Sequence, residues 1–400
     1  MDRLTRRYIE LDETYAARGY APLPVVLTRG KGVFVYDVSG RRYFDMLSAY
    51  SALNQGHNHP AIVRAAKAQM SRLSLTSRAF HNDLMGAFLK RLCRLARADM
   101  ALPMNSGTEA VETAIKAIRL WGYRRKGVPR NKAEIVVAAG NFHGRSTTIA
   151  GFSTDPTVYE GFGPPTPGFK IIPYDDPKAL ERAITSRTAG FLVEPIQGEA
   201  GVRIPSPGYL KAVRRVCSRR KVLLCVDEIQ TGLGRTGKMF CADHEGVKPD
   251  LIILGKALSG GLYPVSAVVG RKEVLGLIQP GTHGSTYGGN PLACAIGMAA
   301  LDVIVKERLP ARSARLGARF LRLLKTLKHP LIKEVRGKGL LCAVEFTKPL
   351  AKDYCKLLMR RGLLAKDTHE TTVRFAPPLV IDEGQLDRAF AIIRAALDDL

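Results

Sequence analysis

Residues 222–238 read VLLCVDEIQTGLGRTGK and place an apolar run, an acidic pair and a glycine-rich tail side by side. VLLCV shows no polar alternation, which predicts a strand covered on both faces. Asp227 and Glu228 end it. The tail spells G-x-G-x-x-G from Gly232 to Gly237, and Gly232–Lys238 also spells G-x-x-x-x-G-K. A dinucleotide loop needs its first glycine directly after the strand and its last at a helix start. Here DEIQT intervenes, KMFCADHEG follows without helical period, and Met239 stands where a P-loop needs Ser or Thr. Both phosphate-loop readings fail on those grounds. The chemistry is expected at the acid.

Similar runs lie on either side: EIVVAAG (134–140), AGFLVEPIQG (189–198), DLIILGKA (250–257) and VSAVVG (265–270). Between and before them come stretches of helical period, including AIVRAAKAQMSRL (61–73), DLMGAFLKRLCRLARA (83–98), TEAVETAIKAIRLWGYRRKG (108–127) and PGYLKAVRRVCSRR (207–220). Buried strands alternating with helices predict an α/β domain, a mainly parallel sheet flanked by helices, over residues 51–300. Residues 1–50 read as short strands and turns, with a hairpin around Asp37–Gly40, and are expected to join a second unit. That unit, residues 301–400, is a smaller α+β domain: LIKEVRGKGLLCAVEF, helix DYCKLLMRRG, strand VRFAPPLVI and terminal helix GQLDRAFAIIRAAL.

The balance of 61 Lys+Arg against 36 Asp+Glu gives a net charge of +25, which raises the question of a nucleic-acid partner. The basic residues are spread along the chain, and the clusters at 124–127, 214–221 and 359–362 fall at predicted helix ends, where cations suit the dipole. A solvated basic surface is therefore expected, with no nucleic-acid partner. No apolar run reaches the ~20 residues needed to span a bilayer. The first residues, MDRLTRRYIELDETY, lack a signal-like apolar core and carry acids that a transit peptide avoids, so a cytoplasmic protein with its own N-terminus is expected. Seven cysteines without a C-x-x-C pair point to reduced thiols, with neither a disulfide frame nor a zinc site. No metal is expected.

Three elements carry the chemistry. Lys256 follows the apolar run 251–254, flanked by Gly255 and small residues, where desolvation would lower its pKa and make it a nucleophile toward carbonyls. Taken with Asp227 alone, an ion pair is the simpler reading. Ser106-Gly107-Thr108 opens a long amphipathic helix, where free N–H groups favour an anion; taken alone, an ordinary cap explains it. Together, an anion site, an amine and an acid describe pyridoxal phosphate.

The strings PMNSGTEAVETA, NFHGR, VEPIQGEAG, VDEIQTGLGRTG, PDLIILGKALSGG, HGSTYGGNP and RFAPPLVI resemble the class III aminotransferases, of fold type I, over nearly the whole chain. Within that family the pattern is most similar to members that act on the δ-amine of ornithine. The resemblance implies a homodimer with active sites at the interface. It assigns Lys256 to the cofactor's aldehyde, Asp227 to the ring nitrogen, Gln230 to the ring hydroxyl and Phe142 to the ring face. Ser106, Gly107 and Thr108 would hold the phosphate, and Ser285 and Thr286 would reach the phosphate of the partner subunit. For substrate it implies Arg145 on the α-carboxylate and Tyr20 and Tyr50 shaping the pocket. Glu199 would cover Arg374 with ornithine and release it for the second carboxylate of a dicarboxylate. His143 reads as a pocket wall without a catalytic role. The implied reaction runs from ornithine and 2-oxoglutarate to glutamate 5-semialdehyde and glutamate in two half-reactions. Family members acting on N-acetylornithine, 4-aminobutyrate or lysine would share Lys256, Asp227 and the phosphate site; Tyr20, Glu199 and HGSTYGGNP favour free ornithine. A non-catalytic, basic nucleic-acid-binding protein is the remaining alternative, and the presence of Lys256 argues against it.

Overall fold

The structure, a computed structural model, describes residues 2–400. Its first element differs from expectation. Residues Arg3–Tyr15 form a helix, capped by the Asp2 carboxylate, which accepts the Thr5 N–H at 2.9 Å. Leu4, Tyr8, Leu11 and Tyr15 line one side of it and are all exposed. The strands β1 (Leu27–Lys31), β2 (Phe34–Asp37) and β3 (Arg42–Asp45) then form an antiparallel meander, with the hairpin at Asp37–Gly40.

Seven strands build the central sheet: β4 (Met100–Met104), β5 (Glu134–Ala138), β6 (Phe169–Ile172), β7 (Thr188–Val193), β8 (Leu223–Asp227), β9 (Leu251–Leu254) and β10 (Ser266–Gly270). Their order is β4-β10-β9-β8-β7-β5-β6. Strands β5 to β9 pair in parallel, and β10 runs antiparallel to both β9 and β4. Strand β4 carries no run of its own in the sequence, since MALPM contains a proline and precedes a stronger helical signal.

The pleat of β8 explains its unbroken apolar sequence. Leu223 and Cys225 enter a core shared with the helix Gly107–Arg124, while Leu224 and Val226 enter the opposite core shared with the helix Tyr209–Arg219. Each such side chain contributes about 1.5–3 kcal/mol by leaving water. The same alternation separates the two acids. Asp227 ends one face; Glu228 turns to the other side and accepts the Ala242 N–H at 2.8 Å and the Thr231 hydroxyl at 2.6 Å.

The C-terminal strands are β11 (Ile332–Lys338), β12 (Leu341–Phe346), β13 (Leu363–Leu364), β14 (Lys366–Thr368) and β15 (Thr372–Phe375). Four of them form an antiparallel sheet, β11-β12-β15-β14. The run VRFAPPLVI therefore stops being strand at Phe375, ahead of two prolines. Strand β13 pairs in parallel with β3, and the Ala376 N–H reaches the Met46 carbonyl, so the N-terminal meander is hydrogen-bonded to this unit. Among the described residues no helix is long and apolar enough to cross a membrane, and no group of three or more His, Cys, Asp or Glu is placed to hold a metal.

Candidate active site

The carboxyl ends of β5, β7, β8 and β9 release the segments that hold Phe142–Arg145, Glu194–Glu199, Asp227–Gln230 and Lys256. Parallel sheets gather polar groups at this edge because the strands stop there while the helices turn back. Asp227 is buried, and its Oδ2 lies 2.7 Å from Nδ1 of the fully covered His143. Its Oδ1 accepts the Ile229 N–H at 3.0 Å. Burial pulls the His143 pKa down, but the hydrogen bond and charge of Asp227, aided by Glu194, outweigh it and raise the value. His143 Nε2 is buried without a partner among the described residues. The histidine read as a wall is thus the direct neighbour of the acid, and residue order cannot show which way its ring turns.

Glu194 fastens two of these segments, accepting the Phe142 N–H at 2.9 Å and the Gly198 N–H at 3.4 Å. Burial pushes its carboxyl up to about 7. Lys256 follows an extended Gly255 and takes a left-handed φ of 44°, opening a short 3-10 turn. Burial holds its amine below the ordinary lysine value, while the charges of Glu199 and Asp227 counteract this and that of Arg374 reinforces it.

Ser106 caps the helix Gly107–Arg124 in a reciprocal box: its hydroxyl accepts the Glu109 N–H at 3.2 Å, and the Glu109 carboxylate accepts the Ser106 N–H at 2.6 Å. The box leaves the Gly107 and Thr108 N–H groups, first in the helix, without intrahelical acceptors. Gly144, with φ of 125°, lets the following loop pass close by; a Cβ there would sit 2.4 Å from Thr108 Oγ1.

Arg374 lies on β15, buried to 1% exposure, with its NH1 2.9 Å from Glu199 Oε1 and 2.9 Å from Gln230 Oε1. Gln230 closes the ring by donating to Glu199 Oε1 at 3.0 Å. Burial raises the Glu199 pKa, but Arg374 and Lys256 outweigh it and hold the carboxyl below its usual value. Nε and NH2 of Arg374 are buried and have no partner among the described residues. The Tyr50 ring centroid stands 5.0 Å from the Arg374 guanidinium carbon. Tyr50 is carried by a turn of the wrong hand: Ser48, Ala49, Tyr50 and Ser51 have φ of 51, 45, 60 and 74°.

Arg145 and Tyr20 are more open to solvent than this group. Both are exposed, with the guanidinium carbon 5.8 Å from the Tyr20 ring and 5.9 Å from the Phe142 ring. The 282–288 loop is tied to the Gly107–Arg124 helix by Thr113 to His283 (2.8 Å) and Lys116 to the Thr282 carbonyl (3.0 Å). Ser285 accepts from Asn105 of its own chain at 2.8 Å, and Thr286 is exposed. A separate cavity of about 120 Å³, lined by Leu53, His57, His59, Ile62 and Gly260, contains none of these side chains.

The Aminotransferase class-III family matches residues 15–397. The chain is 54% identical over 393 residues to an ornithine aminotransferase of Brevibacillus brevis, covering 98% of each chain. Among solved structures it superposes on the ornithine aminotransferase of Toxoplasma gondii ME49 with a TM-score of 0.97 and 44% identity, over 99% of this chain and 95% of that one. It also superposes on the acetylornithine aminotransferase of Elizabethkingia anophelis with a TM-score of 0.91 and 48% identity, over 99% of both. An edge of parallel strands that gathers a lysine, an acid and a helix N-terminus, and a match over nearly its full length, give one conclusion: the chain belongs to the class III aminotransferases.

Proposed function

We propose that this chain is an ornithine δ-aminotransferase that uses pyridoxal phosphate and 2-oxoglutarate. The observation that carries the reading is the Glu199–Arg374–Gln230 ring beside Lys256, with two buried Arg374 donors unpaired among the described residues. A cation neutralised by an adjacent anion suits a substrate whose incoming end is uncharged apart from its amine. The same cation, once released, suits a second carboxylate.

The donor set fits the cofactor. The Gly107 and Thr108 N–H groups with the Ser106 hydroxyl suit a phosphate at a helix start. Asp227, braced by His143, suits a protonated ring nitrogen, Gln230 the ring hydroxyl, and Phe142 the ring face. When bound, pyridoxal phosphate supplies an electron sink for the breaking C–H bond and a carbon that accepts the amino group. Lys256, desolvated and less basic than a free lysine, would hold the cofactor at its aldehyde carbon and, once released as a free amine, would accept the proton of the δ-carbon. Arg145 holds the α-carboxylate of ornithine at the mouth, between Tyr20 and Phe142. The products are glutamate 5-semialdehyde and, after the second half-reaction, glutamate.

The exposed Arg145, Tyr20 and Thr286 belong, on this reading, to an interface: a homodimer in which Ser285 and Thr286 serve the partner subunit's phosphate. The protein is proposed to work in the cytoplasm, with residues 51–300 as cofactor-binding domain and residues 1–50 and 301–400 as the second unit. The similarity to an acetylornithine aminotransferase supports N-acetylornithine as the second reading. Rapid mixing of cofactor-loaded protein with each amine separates them. Visible-edge absorbance should decay faster with ornithine; a faster decay with N-acetylornithine would overturn the choice, and none with either would end the reading.

A further inference from the structure

The glycine stretch 232–237, which cradles no phosphate in the sequence reading, has another task. Leu233, Gly234 and Gly237 have φ of 53, 95 and 98°, so the chain folds back on itself. Backbone then packs on backbone. A Cβ on Gly339 would lie 2.4 Å from the Thr236 carbonyl carbon, and one on Gly317 would lie 2.1 Å from the Gly339 carbonyl carbon. In the middle of this contact Arg235 is wholly buried. Its NH1 donates to the Leu340 carbonyl (2.9 Å) and the Pro377 carbonyl (2.6 Å), and its NH2 to Asn54 Oδ1 (2.6 Å). Asn54 answers with its amide to the Leu233 carbonyl (3.0 Å), and its own carbonyl accepts the Leu379 N–H (2.8 Å). The Arg235 carbonyl accepts the Ser313 hydroxyl at 2.7 Å. No carboxylate pairs with Arg235 among the described residues, and burial pulls its pKa down to about 9.

A buried guanidinium held by carbonyls alone is a costly fastener, which asks what it fastens. Asn54 lies four residues after Tyr50, Arg235 five after Gln230, and Pro377 three after Arg374. The three side chains that surround the proposed second-carboxylate position thus leave three separate segments, and one fork ties those segments together. We propose that Arg235 is a positioning residue that sets Arg374, Gln230 and Tyr50 relative to one another and so governs recognition of the dicarboxylate substrate. The inference rests on the function proposed above and adds a residue outside the pocket to it.

Arg235→Lys keeps the charge and gives up the planar fork. The KM for 2-oxoglutarate should rise on the order of tenfold, while the single-turnover rate with saturating ornithine stays within about twofold, since an ångström-scale displacement acts most on the group that must meet the second carboxylate. Asn54→Ala leaves Arg235 in place and removes one of its acceptors; it should raise the KM for 2-oxoglutarate by a smaller factor, again with the ornithine rate little changed. If the lysine variant does not fold, the alanine variant decides. Equal losses with both substrates would make Arg235 a stability element and overturn the proposal, as would unchanged KM values. Wild-type protein that fails to use 2-oxoglutarate or any other dicarboxylate would instead overturn the proposed function, before any variant is compared.

Discussion

Replacing Glu199 by Gln keeps the length of the side chain and removes the anion beside Arg374. Two unit charges about 4 Å apart interact by about 4 kcal/mol at an effective dielectric of 20. Part of this is already screened, because the Glu199 side chain is 26% exposed. Part is retained, because the Gly198 carbonyl and Gln230 still accept from Arg374 NH1. The gain that a second carboxylate would find at Arg374 is then about 1.5–3 kcal/mol, a ten- to hundredfold change. The assay is the ratio of kcat/KM for glutamate to that for ornithine as amino donors, measured in single half-reactions. It should rise by about that factor. A second effect comes from the same charge. Glu199 supports protonation of Lys256, whose amine burial already holds down, so its loss should move the Lys256 titration in cofactor-free protein to lower pH. A donor ratio within about twofold of wild type would refute the reasoning, because Arg374 would then be answering to something other than Glu199.

Lys256→Ala should abolish turnover with every amine while thermal unfolding stays at or above wild type, since no buried amine remains to be desolvated. Repeated turnover by that variant would place the reactive amine elsewhere. Glu228→Gln addresses pH. Burial pushes the Glu228 carboxyl up to about 7, above its unfolded value, so its contribution is most favourable below pH ~4.5 and is lost as pH rises through 7. The glutamine variant, which cannot ionise, should gain on wild type between pH 5 and 8, by no more than about 3 kcal/mol. A melting-temperature difference that stays constant across that range would show that Glu228 does not titrate there.

The central sheet was readable because strands covered on both faces have no polar phase, and runs such as LIIL in β9 stand out against their surroundings. Lys256 and Asp227 were readable because strand ends in a parallel sheet are positions fixed by the chain itself. The helix Arg3–Tyr15 was not, although Leu4, Tyr8, Leu11 and Tyr15 recur at helical spacing. The stripe is sparse, and the charges between its members hid the period. Strand β4 is short and holds Pro103, so it depends on pairing with β10 more than on its own residues. The partners of His143 and Arg235 are illegible in the sequence for a different reason. A side chain's partners lie far away in sequence, 84 residues for His143 with Asp227 and 181 for Arg235 with Asn54. No local pattern carries that information.

The turn at Ser48–Ser51 has a consequence for how this protein comes into being. A coil of the mirror-image hand costs L-amino acids roughly 1–2 kcal/mol per residue, so the backbone does not adopt it unaided. It closes because Asp45 Oδ1 accepts the Leu47 and Ser48 N–H groups at 2.9 and 2.8 Å, while His57 grips the other carboxylate oxygen at 2.7 Å. Tyr50 can therefore take its place only after chain on both sides of it has settled. A molecule caught halfway to its native state would own its lysine and its acid and yet be blind to the far end of its substrate.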